Sequence, residues 1–240
     1  MKLLDLTLFT PAQNLAFDEA LLDWCENGAA EEVLRFWESP RYFIVVGYAN
    51  KVAAEVNVAV SETKGIPIYR RCSGGGTVVQ GPGCLNYALF LEIAEDGSLH
   101  SISSANRFIM ERNRGAIMSL FPNAEISARG HTDLCLGDLK FSGNSQRRRK
   151  HSLLFHGTFL LNFNLALVSE VLRMPSKQPD YRKNRVHAEF LTNLNLPAEK
   201  VKSALQEAWG ADSPLKHPPL GNAAALARDK YATPGWNQKF

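Results

Sequence analysis

Three glycines in succession, Gly74, Gly75 and Gly76, follow an arginine pair closely in the stretch IPIYRRCSGGGTVVQGPGCLNYALFLE. Glycine has no side chain to fill a core and loses the most entropy on folding. A run of three therefore fits where backbone must approach something closely or adopt positive φ. The apolar alternation before the run and the apolar segment after it predict two strands flanking a loop, with a second turn at Gly81, Pro82 and Gly83. Successive free N–H groups in such a loop form a concave donor surface for phosphate or carboxylate, and Arg70 and Arg71 stand beside it as forked cations. The alternative reading is a glycine-rich hairpin with two solvated arginines. A Walker loop is excluded because no Lys precedes Thr77, and a dinucleotide fingerprint is excluded because GxGxxG opening a helix is absent.

The rest of the chain predicts the frame around this loop. Thr10, Pro11 and Gln13 read as a helix start with a hydroxyl N-cap and a capping-box partner, and Asn27-Gly28 as its end. LRFWE and YFIVVGY, separated by Ser39-Pro40, are expected to pair as strands, and Val52 to Lys64 has helical spacing. Residues 101–120 predict a long amphipathic helix ended by Pro122. Leu134 and Leu136 alternate into a hairpin turn at Gly137-Asp138, and SLLFHGTFLLNF is apolar enough for a central strand. Helices follow at LALVSEVLR and AEKVKSALQEAW, then a linker between Gly210 and Pro219 and a last helix capped by Asn222. Hairpin-like pairs alternating irregularly with helices give an α+β class, with a mixed, largely antiparallel sheet and packed helices. The expected division is a catalytic domain over 1–210 and a linker with a short accessory segment over 211–240.

Composition narrows the function classes. A net charge of +3 with dispersed basic residues does not suit bulk nucleic-acid binding, and no apolar run reaches the length of a membrane span. The start has Asp5 and no cleavage site after an apolar region, which leads us to expect a cytoplasmic protein. Cys25, Cys72, Cys84 and Cys135 are far apart and show no paired spacing, so we expect reduced thiols and no metal site.

Arg70, Arg71, Cys72, Ser73, Gly74, Gly75 and Gly76, followed by Gly83 and Asn86, resemble the signature of the lipoate-protein ligase A family. A second block, Lys140-Phe141-Ser142-Gly143 with Gln146-Arg147 and then His156-Gly157-Thr158, resembles the same family, and the two blocks together span roughly residues 66–162. The resemblance implies the biotin and lipoate ligase catalytic fold with an acyl-adenylate cleft along the glycine loop. It implies ATP with Mg2+ and lipoate or octanoate as ligands, a lipoyl-AMP intermediate, and a lipoyl-domain acceptor. Lys140 would be the catalytic residue. Arg70, Arg71, Ser73, Gly74, Gly75, Gly76, Val78, Gly83, Asn86, Ser142, Gly143 and His156 would bind the ligands, and residues around Val78, Val79 and Leu85 would line a tunnel for an eight-carbon chain.

Taken alone, Lys140 reads as a solvent-facing strand lysine, and only its place in the second block makes it a cleft residue; His156 either orients a ligand or is a satisfied histidine in a buried strand. The Arg147 to Lys150 cluster is a solvated loop or a docking patch for an acidic carrier domain. Cys84 departs from the family pattern beside Gly83, and fewer residues follow the linker than in full-length ligases, which leaves room for a separate accessory subunit. Two rival functions follow. One is an octanoyltransferase of the same fold, drawing on acyl carrier protein through a thioester at Cys84 or Cys135. The other is a non-catalytic lipoyl-binding protein, which the retention of Lys140 and Ser73 to Gly76 opposes.

Overall fold

A computed structural model describes residues 1–29, 31–94 and 97–240. In chain order the strands are β1 (Lys2–Asp5), β2 (Val33–Trp37), β3 (Phe43–Val46), β4 (Ile68–Arg70), β5 (Val78–Gln80), β6 (Cys84–Glu92), β7 (Ile126–Arg129), β8 (Asp133–Leu136), β9 (Leu139–Arg148), β10 (Ser152–Leu160) and β11 (Ser213–Pro214). The helices are α1 (Pro11–Glu26), α2 (Val52–Glu55), α3 (Val58–Thr63), α4 (Ile102–Leu120), α5 (Leu165–Val171), α6 (His187–Phe190), α7 (Ala198–Trp209), α8 (Leu220–Leu226) and α9 (Pro234–Asn237). A large sheet runs β11-β1-β2-β6-β10-β9-β8-β7, and a small one runs β4-β3-β5. The class is α+β, as the sequence leads one to expect. Among the described strands the ladders β11-β1-β2 and β3-β4 are parallel and the other ladders antiparallel.

At its centre the large sheet is buried on both sides, so β2 and β6 read as nearly continuous apolar runs. On one face Leu34, Phe36, Leu89 and Phe155 pack against Ile109 and Ile117 of α4 and Val201 and Leu205 of α7. On the other, Ala88, Phe90 and Leu154 meet Phe17 and Leu21 of α1. The small sheet buries Ile44, Val46 and Val79 against Val168 and Val171 of α5.

Local signals placed most elements. Thr10 caps α1, with Gln13 completing a reciprocal capping box, and β10 lies between β6 and β9 at the sheet centre. Three expectations are corrected. β2 and β3 do not pair: β2 lies between β1 and β6, whereas β3 leaves for the small sheet, because both hydrogen-bonding edges of β2 are already taken. The helix expected over Val52 to Lys64 breaks where Val56 bridges Leu172 and the Asn57 N–H reaches Val171 O. The last helix begins at Leu220 behind Pro219, not at an Asn222 cap. The segment expected as a linker contributes β11 to the edge of the sheet, and α8 packs on α1.

Candidate active site

Register on the sheet organises the site. In an antiparallel ladder, directly opposed residues share a face. Ser145, His156 and Ala88 therefore form one row across β9, β10 and β6, and Gly143, Thr158 and Asn86 form the next. Above these rows lies a cleft of about 470 Å³, closed by the small sheet, the connector over residues 175–182 and α6. Its floor grades from groups that hold the glycine loop, through an uncharged polar row, to the apolar side chains of Leu160, Val168, Leu172 and Val79.

The glycine loop is held from behind. Arg71 donates to Gly74 O at 2.6 Å, Gly76 O at 2.7 Å and Ser73 Oγ at 3.1 Å, and Ser145 Oγ donates to Gly74 O at 2.9 Å. With these carbonyls turned inward, the N–H groups of Gly74 to Thr77 make no hydrogen bond among the described residues. The loop thus presents donors outward, the arrangement that suits an anion. Burial pulls the Arg71 guanidinium down to about 10, which still leaves it charged at neutral pH. Gly75 has φ +87°, and a Cβ there would lie 3.0 Å from Arg71 Nη2.

A relay fixes the loop to the sheet. Ser73 Oγ lies 2.6 Å from His156 Nε2, and His156 Nδ1 lies 3.0 Å from Asp18 Oδ2. Asp18 Oδ1 accepts from the fully buried Arg35 at 2.5 Å, and Arg35 also donates to Asn14 Oδ1 at 2.7 Å. His156 is therefore in the cleft wall and satisfied at both nitrogens, joining the two readings the sequence left open.

Lys140 projects into the cleft. Its Nζ pairs with Asp133 Oδ1 at 2.8 Å, and Tyr181 OH from the connector donates to Asp133 Oδ2 at 2.7 Å. Burial and the neighbouring Asp133 push the Tyr181 phenol upward, keeping it a donor. Burial, with Arg182 and Lys140 nearby, brings His187 down to about 4, so it faces the cleft as a neutral ring at neutral pH.

Of the residues singled out from sequence, Lys140, Arg71, Gly75, Gly76, Val78, Asn86, Ser142, Gly143 and His156 line this cleft. Ser73 and Gly74 stand behind it in the loop's anchoring. Arg70 does not face the cleft. Its guanidinium donates to Gly47 O, Tyr48 O, Asn50 O, Trp236 O and Asn237 O, tying the loop over 47–50 to the C-terminal segment. Gly83 serves backbone packing: a Cβ there would be 2.3 Å from Asn162 O. Leu85 points to the opposite face of the sheet. Cys84 is buried in the apolar cluster of the small sheet and is pushed up to about 12 by burial. Cys135 is buried, with Sγ 3.6 Å from Tyr181 OH, and burial raises it as well. Asp18, Arg35, Gln80, Asp133, Asn144 and Tyr181 were not anticipated. Asn14 and Asp18, four apart and so on one face of a helix, and Arg35 inside an apolar strand carried the one legible signal. Asp133 and Tyr181 carried none.

The model of the lipoyl protein ligase A/B catalytic domain matches residues 10–209. The chain belongs to that family. Within it, the chain is 30% identical to lipoate-protein ligase 1 of Staphylococcus aureus over 95% of this chain and 70% of the relative. It is 25% identical to octanoyltransferase LipM of Geobacillus kaustophilus, over 95% of this chain and 94% of that one. Among solved structures, the bi-partite lipoate protein ligase of Thermoplasma acidophilum, studied with its E2 lipoyl domain, superposes with a TM-score of 0.83 at 23% identity, covering 99% of this chain and 95% of that one. Lipoate-protein ligase A bound with ATP gives 0.79 at 24% identity, covering 99% and 98%. These place the chain among the ligase and octanoyltransferase enzymes and give it the lipoate-ligase fold. Among the described residues no helix is long and apolar enough to cross a membrane, and no three His, Cys, Asp or Glu cluster as a metal site.

Proposed function

We propose that this family member is an ATP-dependent lipoate or octanoate protein ligase that modifies a lysine of a lipoyl domain or a glycine cleavage H protein. The observation that carries the choice is the position of the thiols: none of the four cysteines lines the cleft, whereas Lys140 and the glycine loop do. A cysteine nucleophile works as thiolate, and burial of Cys84, Cys72 and Cys135 disfavours that form. Without a protein nucleophile the acyl carboxylate needs another route to reactivity.

In the first half-reaction a carboxylate oxygen attacks the α-phosphorus of ATP, the new O–P bond forms and pyrophosphate leaves. Lys140 and the unpartnered N–H groups of Gly75 and Gly76, which line the cleft, would stabilise charge on the phosphate oxygens. Mg2+ would enter with ATP, held chiefly by phosphate oxygens and water, with Asp133 the carboxylate beside Lys140. In the second half-reaction the acceptor lysine nitrogen attacks the acyl carbonyl carbon. The C–N bond forms, the C–O bond to AMP breaks, and the amine proton passes to solvent. The apolar end of the cleft suits the eight-carbon chain. A free accessory subunit remains part of the proposal, as does a catalytic unit over 1–210.

The second reading, an octanoyltransferase, is favoured by the match to a LipM relative along 94% of its length. Cys135 also stands opposite Lys140 in the β8–β9 ladder. Incubation with octanoate or lipoate and labelled ATP distinguishes them: formation of acyl-adenylate supports the ligase, and transfer of label only from octanoyl-acyl carrier protein overturns it.

A further inference from the structure

Around the uncharged polar row the protein leaves two buried side-chain atoms unpartnered. Thr158 Oγ1 accepts from Gln80 Nε2 at 2.9 Å and donates to Asn86 Oδ1 at 2.8 Å. That leaves Gln80 Oε1 and Asn86 Nδ2 buried without partners, on residues 7% and 2% exposed that both line the cleft. A buried polar group without a partner costs free energy comparable to a lost hydrogen bond. Reversing both amides exchanges their roles but still offers the cleft one donor and one acceptor. Gln80 comes from the small sheet and Asn86 from the large one, so the donor and the acceptor flank the cleft from two walls.

Their position fixes what they can meet. Gly143, Thr158 and Asn86 lie in one row, and a Cβ on Gly143 would touch Lys140 Nζ, so the ammonium stands at the end of that row. With strands about 4.8 Å apart, Asn86 is about 10 Å along the row from Gly143. A phosphate at Lys140 and an acyl carbonyl over the amides would bridge that span. A carboxylate, carrying acceptors only, would be repelled by one member of the pair. Aminolysis is the step that needs both, because the carbonyl oxygen gains negative charge while the attacking nitrogen still bears N–H groups.

We infer that Asn86 and Gln80 form a transfer subsite, with Asn86 donating to the acyl carbonyl oxygen and Gln80 accepting an N–H of the incoming lysine amine. This rests on the acyl-transfer reading above and deepens it. No proton is taken by Gln80; it aligns the nitrogen as the C–N bond forms and the bond to the leaving group breaks. The subsite serves an adenylate or a thioester donor alike.

Gln80→Met tests the proposal, since methionine fills the same space without the acceptor and Thr158 keeps its bond to Asn86. The expected result has three parts: a thermal midpoint raised by a few degrees, because a buried amide oxygen without a partner is removed; octanoate affinity by calorimetry unchanged within about threefold; and single-turnover transfer from presented octanoyl-AMP or octanoyl-acyl carrier protein to a lipoyl domain slowed roughly 10- to 100-fold. Asn86→Leu should lose transfer more severely, by roughly 100- to 1000-fold. Transfer by Gln80→Met at the wild-type rate, a lowered midpoint, or octanoate affinity falling in step with the rate overturns the subsite. A wild-type protein that transfers no octanoyl group from either donor overturns the acyl reading itself.

Discussion

A β-carbon built on Gly143 would lie 2.7 Å from the Nζ of Lys140, so the absence of a side chain at 143 is what lets the ammonium lie across the sheet toward the cleft. Gly143→Ala is expected to displace the ammonium and slow acyl transfer roughly 10- to 100-fold, the scale of a misplaced reacting group. Lys140→Ala should abolish transfer while circular dichroism and melting stay near wild type, since its side chain is partly exposed and its ion pair with Asp133 is not deeply buried. Near-normal single-turnover rates in Lys140→Ala would remove it from the chemistry.

Gly75 combines φ +87° with a carbonyl that packs against Gly47, where a Cβ would lie 2.1 Å from Gly75 O. Gly75→Val should cost about 1–2 kcal/mol from the left-handed backbone alone. It should also weaken binding of an acyl-adenylate analogue at least tenfold by disturbing the outward N–H groups. Unchanged affinity in calorimetry would count against the loop as an anion cradle.

Asp18 neutralises the fully buried Arg35 and orients His156 at the same time. Asp18→Ala strands a guanidinium in an apolar face and is expected to destabilise the protein by about 3–5 kcal/mol. Replacing both partners by apolar residues, Asp18→Leu with Arg35→Met, should recover much of that loss in urea melts while leaving transfer impaired. Full recovery of transfer in the double variant would show that the relay has no bearing on the loop.

The thiols decide between the two enzyme readings. Cys84→Ser, Cys135→Ser and the double variant should retain substantial activity per folded molecule, with a stability loss on the order of 1–3 kcal/mol where the hydroxyl finds no partner. Intact-protein mass spectrometry should find no octanoyl adduct. An adduct that vanishes with either cysteine, accompanied by a rate loss of several orders of magnitude, sinks the ligase assignment.

Much of the frame was legible in the order of residues because its signals are local. The Thr10-Gln13 capping box, the turn at Gly137-Asp138 and the apolar run of β10 each depend on neighbours a few positions away, and each stands where expected. The glycine loop and Lys140 were legible for the same reason: glycines beside a charged group betray a backbone that must be approached. What adjacency could not supply was the fate of each side chain. Arg70 and Arg71 are neighbours in the chain, yet one closes on carbonyls of residues 47–50 and 236–237 while the other turns back on the glycine loop. The register of β4 and the docking of the C-terminal segment decide between them. Likewise His156 and Asp18 are 138 positions apart, and Tyr181 reaches Asp133 across 48. Such contacts are set by which faces two elements bury against each other, a property of the packed molecule. Sequence determined where backbone must bend, cap or come close; only tertiary packing decided which of the charged groups nearby were left free to meet a ligand.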